Sequence, residues 1–211
     1  MEENVAAIAL RSIVFSGSAT LLAAAWSLPV AYLMARRGLR SAAAVAESLV
    51  GVPTVLIGLL IYFLFCRQGP FGSLGILYTP AAVVLGEAVL VTPLLVAVAY
   101  RVLRRSVETV GELALSLGAS ESAAAALVLR ESLPGLAAAL VMAFSRAVGE
   151  LGVALLVGGN IMGYTRTLTT AIALEVSKGS FETALELGAV LVAIMVAVGL
   201  ASRLLQRLAE G

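Results

Sequence analysis

Five long apolar stretches, separated by shorter polar ones, set the plan of this chain. The first, from Ser12 to Ala35, contains no charged residue. A second runs from about Ala42 to Cys66, a third from Pro80 to about Val102, a fourth from Pro134 to near Gly158, and a fifth from about Thr183 to Leu205. A hydrocarbon layer of ~30 Å is crossed by about 20 helical residues. Each stretch is therefore long enough to span a bilayer. The expected architecture is an all-α integral membrane protein with about five transmembrane helices in one domain, residues 1–211. Pro29, Pro53 and Pro93 lie inside three of the spans and predict bends, which membranes tolerate where neighbours satisfy the freed carbonyl. Gly17, Ser18, Ala19, Gly149 and Gly152 offer positions for close helix contact.

The polar segment between the third and fourth spans, about residues 104–134, has the punctuation of a helix–turn–helix. Ser106 can cap a first helix, with Glu108 in its first turn. Gly118 supplies a left-handed residue to end it, and Ser120 can cap a second helix that begins at Glu121. Pro134 then fits the first turn of the fourth span. Connections between neighbouring helices are usually much shorter. A segment of this length with internal helix signals predicts a docking element rather than a linker.

Composition narrows the function classes. Only 13% of residues are charged, about half the share of a soluble domain. The net charge of +1 gives no basic field for nucleic acid. The chain has no His, no Asp and a single Cys, Cys66. Histidine-based catalysis, cysteine-cluster metal sites and internal disulfides are excluded by these missing residue types. The sole lysine, Lys178, stands outside any glycine-rich P-loop, so no ATP site of that kind is expected. Basic residues orient the spans. Arg36, Arg37, Arg40, Arg101, Arg104, Arg105, Arg130, Arg203 and Arg207 fall on one side, against Arg11, Arg67, Arg166 and Lys178 on the other. This asymmetry puts residues 104–134 and the C-terminus in the cytoplasm and the N-terminus outside. Residues 1–34 read as a retained span.

Two constellations carry candidate chemistry. Arg146 and Glu150 stand four apart in the fourth span and share a helix face. Charges at that depth must be paired or wet, so the two form either a structural ion pair or a polar face on a transport path. Glu87 faces the same choice, with Arg146 a possible partner. The second constellation is the polar segment at about residues 159–182. Its stretch from Asn160 to Thr170 holds Asn160, Tyr164, Thr165, Thr167, Thr169, Thr170 and Arg166. Neutral donors beside one guanidinium and a helix N-terminus suit a tetrahedral anion, although solvated loops share this composition. The helix in question is expected over Leu168 to Ser177, closed by Gly179.

Glu112, Ala114, Gly118 and Ala119, followed by Ser120 and Glu121, resemble the coupling loop of ABC-importer permeases, whose pattern is Glu-Ala-Ala, three residues, Gly. Leu113 stands where that family usually has Ala. The run from Val157 through Asn160 and Thr165–Thr170 to Gly179 is similar to tungstate-importer permeases, relatives of the molybdate and sulfate permeases. Pro134 comes about three residues later than in the general pattern, a spacing that resembles the tungstate group. Together the resemblance covers most of the chain. It implies a type I permease fold, a homodimer, two separate ATPase subunits that use the ATP, and an extracytoplasmic binding protein that delivers an oxyanion. It implies a cell-membrane protein with no cofactor of its own, not an enzyme. Tungstate and molybdate match in charge and nearly in size, so both stay open, as do sulfate and phosphate. A secondary transporter using the intramembrane Arg and Glu is the alternative in another class, and a membrane assembly protein without transport is a third.

The arginine asymmetry makes a testable topology. In a Cys66→Ser background, Ser73→Cys should react with an impermeant thiol reagent added outside, and Ser120→Cys should not. Outside labelling of position 120 would reverse the orientation.

Overall fold

A computed structural model describes the backbone of residues 3–210 and the side chains of residues 3–203, so the side chains of Leu205 and Arg207 lie outside the described residues. The described residues form helices and connecting turns, with no strand among them. Helix α1 (Val5–Arg37) starts at Asn4, whose Oδ1 accepts from the Ala6 N–H at 2.9 Å, and stops at Gly38, which turns left-handed at φ +64°. Helix α4 (Pro80–Ser106) starts at the Thr79 cap, with Pro80 in the position that needs no N–H. Helix α6 (Glu121–Val148) starts at Ser120, whose Oγ accepts from the Ala123 N–H at 3.3 Å. Helix α9 is Phe181–Glu210.

Helices α1, α4, α6 and α9 are each long and apolar enough to cross a membrane. The second apolar stretch is broken at Pro53, where a bend is expected. It is a pair, α2 (Arg40–Leu49) and α3 (Thr54–Phe65), bent by 94°. Pro53 is the reason: it cannot donate to the ladder and biases Val52 away from the helical region. Alone, the 12 residues of α3 reach about 18 Å, short of a ~30 Å layer.

The centre of the bundle is α1, α4 and α6. Ala19 and Ala23 of α1, and Ala139, Ala143 and Ala147 of α6, interleave with Ala88, Val91 and Leu95 of α4. The alanines recur one turn apart and let the helix axes come close, where dispersion rather than hydrophobic expulsion holds helices together in lipid. Gly17 is not part of this contact, since a Cβ there would meet nothing within 4 Å. At the arginine-rich end Ala43 and Ala46 of α2 pack with Tyr100 and Leu103 of α4, and Arg101 reaches Glu47 at 2.9 Å. Towards the arginine-poor end, α3 and the short helix α7 (Gly152–Gly158) pack on α4 through Ile61, Leu90, Val153 and Val157. Helix α8 (Leu168–Lys178), close to the expected limits and ended by Gly179 at φ +80°, packs with α9 and the start of α1.

The segment between α4 and α6 corrects two expectations. Ser106 does not cap a new helix. It is the last residue of α4, and a π-helical turn (Val107–Gly111) carries that helix on into α5 (Glu112–Ser116). Its hydroxyl instead accepts from Ser132 at 2.9 Å, a buried bond between α4 and α6. Pro134 does not start a helix either, because α6 runs through it. The adjoining Gly135 marks a close approach: a Cβ there would stand 2.6 Å from Val102 Cγ1 of α4. The turn itself is as the glycine predicts. Gly118 has φ +88°, and the Ala119 and Gly118 N–H groups close onto the carbonyls of Ala114 and Leu115 at 3.0 Å each, the paired bonds of a glycine-terminated helix.

Gly86 of α4 gives a check on the packing of α7, because its added Cβ would lie 2.5 Å from Val153 Cγ1, a stiff and fully buried side chain. Gly86→Ala should destabilise the protein by about 1–3 kcal/mol, read as a lower melting temperature in detergent. Adding Val153→Ala should restore part of the loss.

Candidate functional site

Two helix interruptions meet inside the membrane-spanning layer. One is the turn of residues 50–53 between α2 and α3, and the other is residues 149–151 between α6 and α7. A Cβ on Gly152 would lie 3.0 Å from both Thr54 Oγ1 and Val55 Cγ2, so the chains touch almost backbone to backbone. Val153 packs against Gly86, within the second turn of the 27-residue α4. The junction is therefore roughly 10 Å inside the helix end. Gly51, Pro53, Gly149 and Leu151 remain exposed on the isolated chain. Irregular backbone at such depth is stable only against protein or water, not against lipid.

Arg146 and Glu150 sit at this junction. Arg146 Nη1 donates to Glu150 Oε2 at 2.7 Å, with side-chain exposures of 37% and 3%. Glu150 is not on the helix face that its spacing suggests, since α6 ends at Val148. It lies in the break, where its second oxygen accepts from the Val153 N–H at 3.2 Å and so answers one of the orphan donors at the start of α7. One carboxylate thus caps a helix and neutralises a cation. Glu87 is not the partner of Arg146. It is buried at 1% exposure beside Ser16 of α1, and its Oε2 has no hydrogen-bond partner among the described residues.

The threonines expected as free donors are already in use. Thr165 Oγ1 donates to the Gly158 carbonyl at 2.6 Å and accepts from the Ile161 N–H at 3.0 Å. Thr167 caps α8, and Thr170 accepts from the Thr167 N–H at 2.9 Å in a reciprocal capping box. Thr169 Oγ1 donates to the Glu150 carbonyl at 2.7 Å. All four are buried, so as seen here they build the frame of the junction rather than present hydroxyls to a ligand. Asn160 and Arg166 form a second cluster nearer the end of the bundle. Arg166 Nε donates to Asn160 Oδ1 at 3.1 Å, and its Nη1 lies 3.5 Å from Glu3 Oε2. Glu3 and Arg11 complete that cluster through a 2.7 Å ion pair. Their sequence separation from residue 166 left no local signal to find them by.

At the arginine-rich end, the motif residues divide by exposure. Glu112, Gly118, Ser120 and Glu121 face solvent, Ala119 is half-buried, and Ala114 is buried against the bundle. Glu121 is held by Arg36 at 3.0 Å. Leu113, Leu115 and Leu117, absent from the sequence-based set, are 58%, 46% and 79% exposed. They stand next to the turn at Gly118, on the segment beyond the π-helical turn. Exposed leucines grouped on a polar connector mark a contact surface. The signal for them was the departure at Leu113 and the alternation that follows.

Residues 26–210 match the family described as binding-protein-dependent transport system inner membrane component. A probable anion ABC transporter permease protein of Haloferax volcanii is 36% identical over 191 residues, which are 87% of this chain and 82% of that protein. The tungstate uptake system permease protein TupB of Peptoclostridium acidaminophilum is 36% identical over 92% of this chain and 86% of its own length. The molybdenum transport system permease protein ModB of Mycobacterium tuberculosis is 30% identical, with coverages of 92% and 78%.

The ion pair predicts an asymmetric response to substitution. Arg146→Gln strands a buried carboxylate and should destabilise the fold by about 3–5 kcal/mol. Glu150→Gln leaves a more exposed guanidinium and should be milder. Thermal unfolding of both variants gives the comparison, and equal stability would mean that the pair does not belong to a packed polar core.

Proposed function

The chain belongs to the family of binding-protein-dependent transport system inner membrane components, and from that premise we propose that it is the permease of an ATP-driven oxyanion importer, with tungstate the first candidate substrate and molybdate the second. Its role is transport and not catalysis, and the ATPase is a separate subunit. The observation that carries the path is the meeting of two exposed helix breaks beside Arg146 at membrane depth. One chain has too few helices to enclose them. A second copy related by a two-fold axis covers this face and leaves a wet cleft between the two chains. The order of substrates follows the relatives, since the tungstate permease is more similar than the molybdenum one.

In this reading Arg146 is the attractive charge on the cleft, and Glu150 keeps it from becoming a trap. A bare guanidinium in a low-dielectric cleft would hold a dianion too tightly to release it. Asn160, Thr165, Arg166, Thr167, Thr169 and Thr170 shape the entrance by holding α7 and α8. The arginine-rich end faces the cytoplasm, and the N-terminus faces outside, where a binding protein delivers the anion. Two ATPase subunits dock on the Gly118 turns of the dimer. Glu112, Ser120 and Glu121 provide the polar rim of each contact, and Leu113 and Leu117 its apolar centre.

Proteoliposomes containing the permease, its ATPase and its binding protein should take up labelled tungstate only with ATP. Uptake driven by an ion gradient without the ATPase would make the chain a secondary transporter. Preference for sulfate or phosphate would change the substrate but keep the mechanism. Leu117→Glu should abolish co-purification of the ATPase. Gly118→Val should weaken it, because a β-branched residue at positive φ is strained by roughly 1–2 kcal/mol. Normal docking and uptake in both variants would reduce the segment to a connector.

A further inference from the structure

The cluster at the arginine-poor end is joined to the junction by hydrogen bonds linked through neighbouring residues of the chain. Glu3 Oε1 accepts from Arg11 Nη2 at 2.7 Å and from the Gly163 N–H at 3.0 Å. Arg11 Nη1 donates to the Arg166 carbonyl at 2.8 Å. The next residue of α1, Ser12, accepts from the Leu168 N–H at 2.8 Å, in the first turn of α8. Thr169, one residue further, donates to the Glu150 carbonyl at 2.7 Å, and the Glu150 carboxylate binds Arg146. The start of α1 thus fixes residues 163–168, and these fix the break between α6 and α7.

Glu3, Arg11 and Arg166 are nearly buried, with side-chain exposures of 9%, 14% and 15%. Glu3 Oε1 has two partners, whereas among the described residues Oε2 has no hydrogen bond and only the 3.5 Å approach of Arg166. Beside it lies a cleft of about 460 Å³, lined by Glu3, Met162, Arg166, Glu175, Lys178 and Glu186. The loop therefore has room to move once its carboxylate anchor is lost. At the break, Glu150 supplies both the α7 cap and the Arg146 contact.

We propose that Glu3 and Arg11 are positioning residues: they form a latch that holds the 163–168 loop and, through Thr169, sets where Glu150 places Arg146 on the path. The inference rests on reading the junction as part of the path. Contiguity alone does not establish coupling, so the test measures it.

The parent is the purified permease carrying Cys66→Ser and Leu151→Cys, since Leu151 lies in the break and is 38% exposed. Its labelling rate with a maleimide is compared after Glu3→Gln, Arg11→Gln, Thr169→Val, and the Arg11→Gln/Thr169→Val pair. A second reporter, Ala143→Cys, sits in the fully buried α1–α4–α6 contact and registers general loosening. Each latch variant should change the rate at position 151 by at least about fivefold, the low end of coupling between sites, and leave position 143 unlabelled. The pair should do no more than either single change, because both cut the same series. Unchanged labelling at 151 overturns the latch. Labelling at both positions overturns it as well, in favour of a purely structural role, and additive effects overturn the route through Thr169. If Arg11→Gln does not fold, Arg11→Lys keeps the charge but offers one donor nitrogen in place of the two that Arg11 uses, and the same outcomes decide. Labelling requires no nucleotide and no partner subunit. Failed ATP-driven uptake would therefore strike the importer reading alone, and failed labelling the latch alone.

Discussion

A peptide group in hydrocarbon has no water to turn to, so each interruption of a helix there must be answered from within the protein. Much of this fold follows from two such interruptions. Where α6 stops at Val148, the side chain of Glu150 reaches the start of α7 and its carbonyl accepts a hydrogen bond from the Thr169 hydroxyl of α8. Where α2 stops, Pro53 opens α3 and Gly152 admits Thr54 and Val55 at close range. The two repairs use each other as walls. Small residues at 58, 86 and 152 are what let α3, α4 and α7 approach closely enough to do so.

The same constraint explains why so many hydroxyls cluster near the arginine-poor end without serving a ligand in this conformation. Short helices generate orphan N–H groups at every start. Helices α7 and α8 are 7 and 11 residues long and follow one another through a loop, so their ends are close together. Thr167 and Thr170 satisfy that demand at the start of α8, while Thr165 and Thr169 answer the carbonyls of Gly158 and Glu150.

Much of the fold was legible in the sequence, because long apolar runs and cap residues report local physics. Ser120, Gly118 and Gly179 each mark a helix end where the structure has one, whereas Ser106 does not. Proline was the less reliable sign. Pro53 breaks its span, whereas Pro134 sits within α6, held where Gly135 packs on Val102. The difference lies in tertiary contact, which spacing along the chain does not report. The site was legible in part for the same reason. Arg146 and Glu150 announce each other by being four apart, while Glu3 and Arg166 meet across 163 positions of sequence. Resemblance to a motif named the turn at Gly118, yet only the folded chain separates the inward Ala114 from the outward Leu113 and Leu117.

The continuity of α6 sets a condition on sequence length. Its 28 residues form one rod of about 42 Å, with the Gly118 turn at one end and the break near Arg146 at the other. Successive residues on such a rod are about 100° apart around its axis. One residue inserted between Ser120 and Arg146 would swing the guanidinium to another side of the helix, and no downstream loop could absorb the error. The interval therefore works as a ruler with a phase. Side chains along its lipid-facing side can drift, and the connector at 67–79 can lengthen or shorten, while the number of residues between cap and cation has to stay fixed.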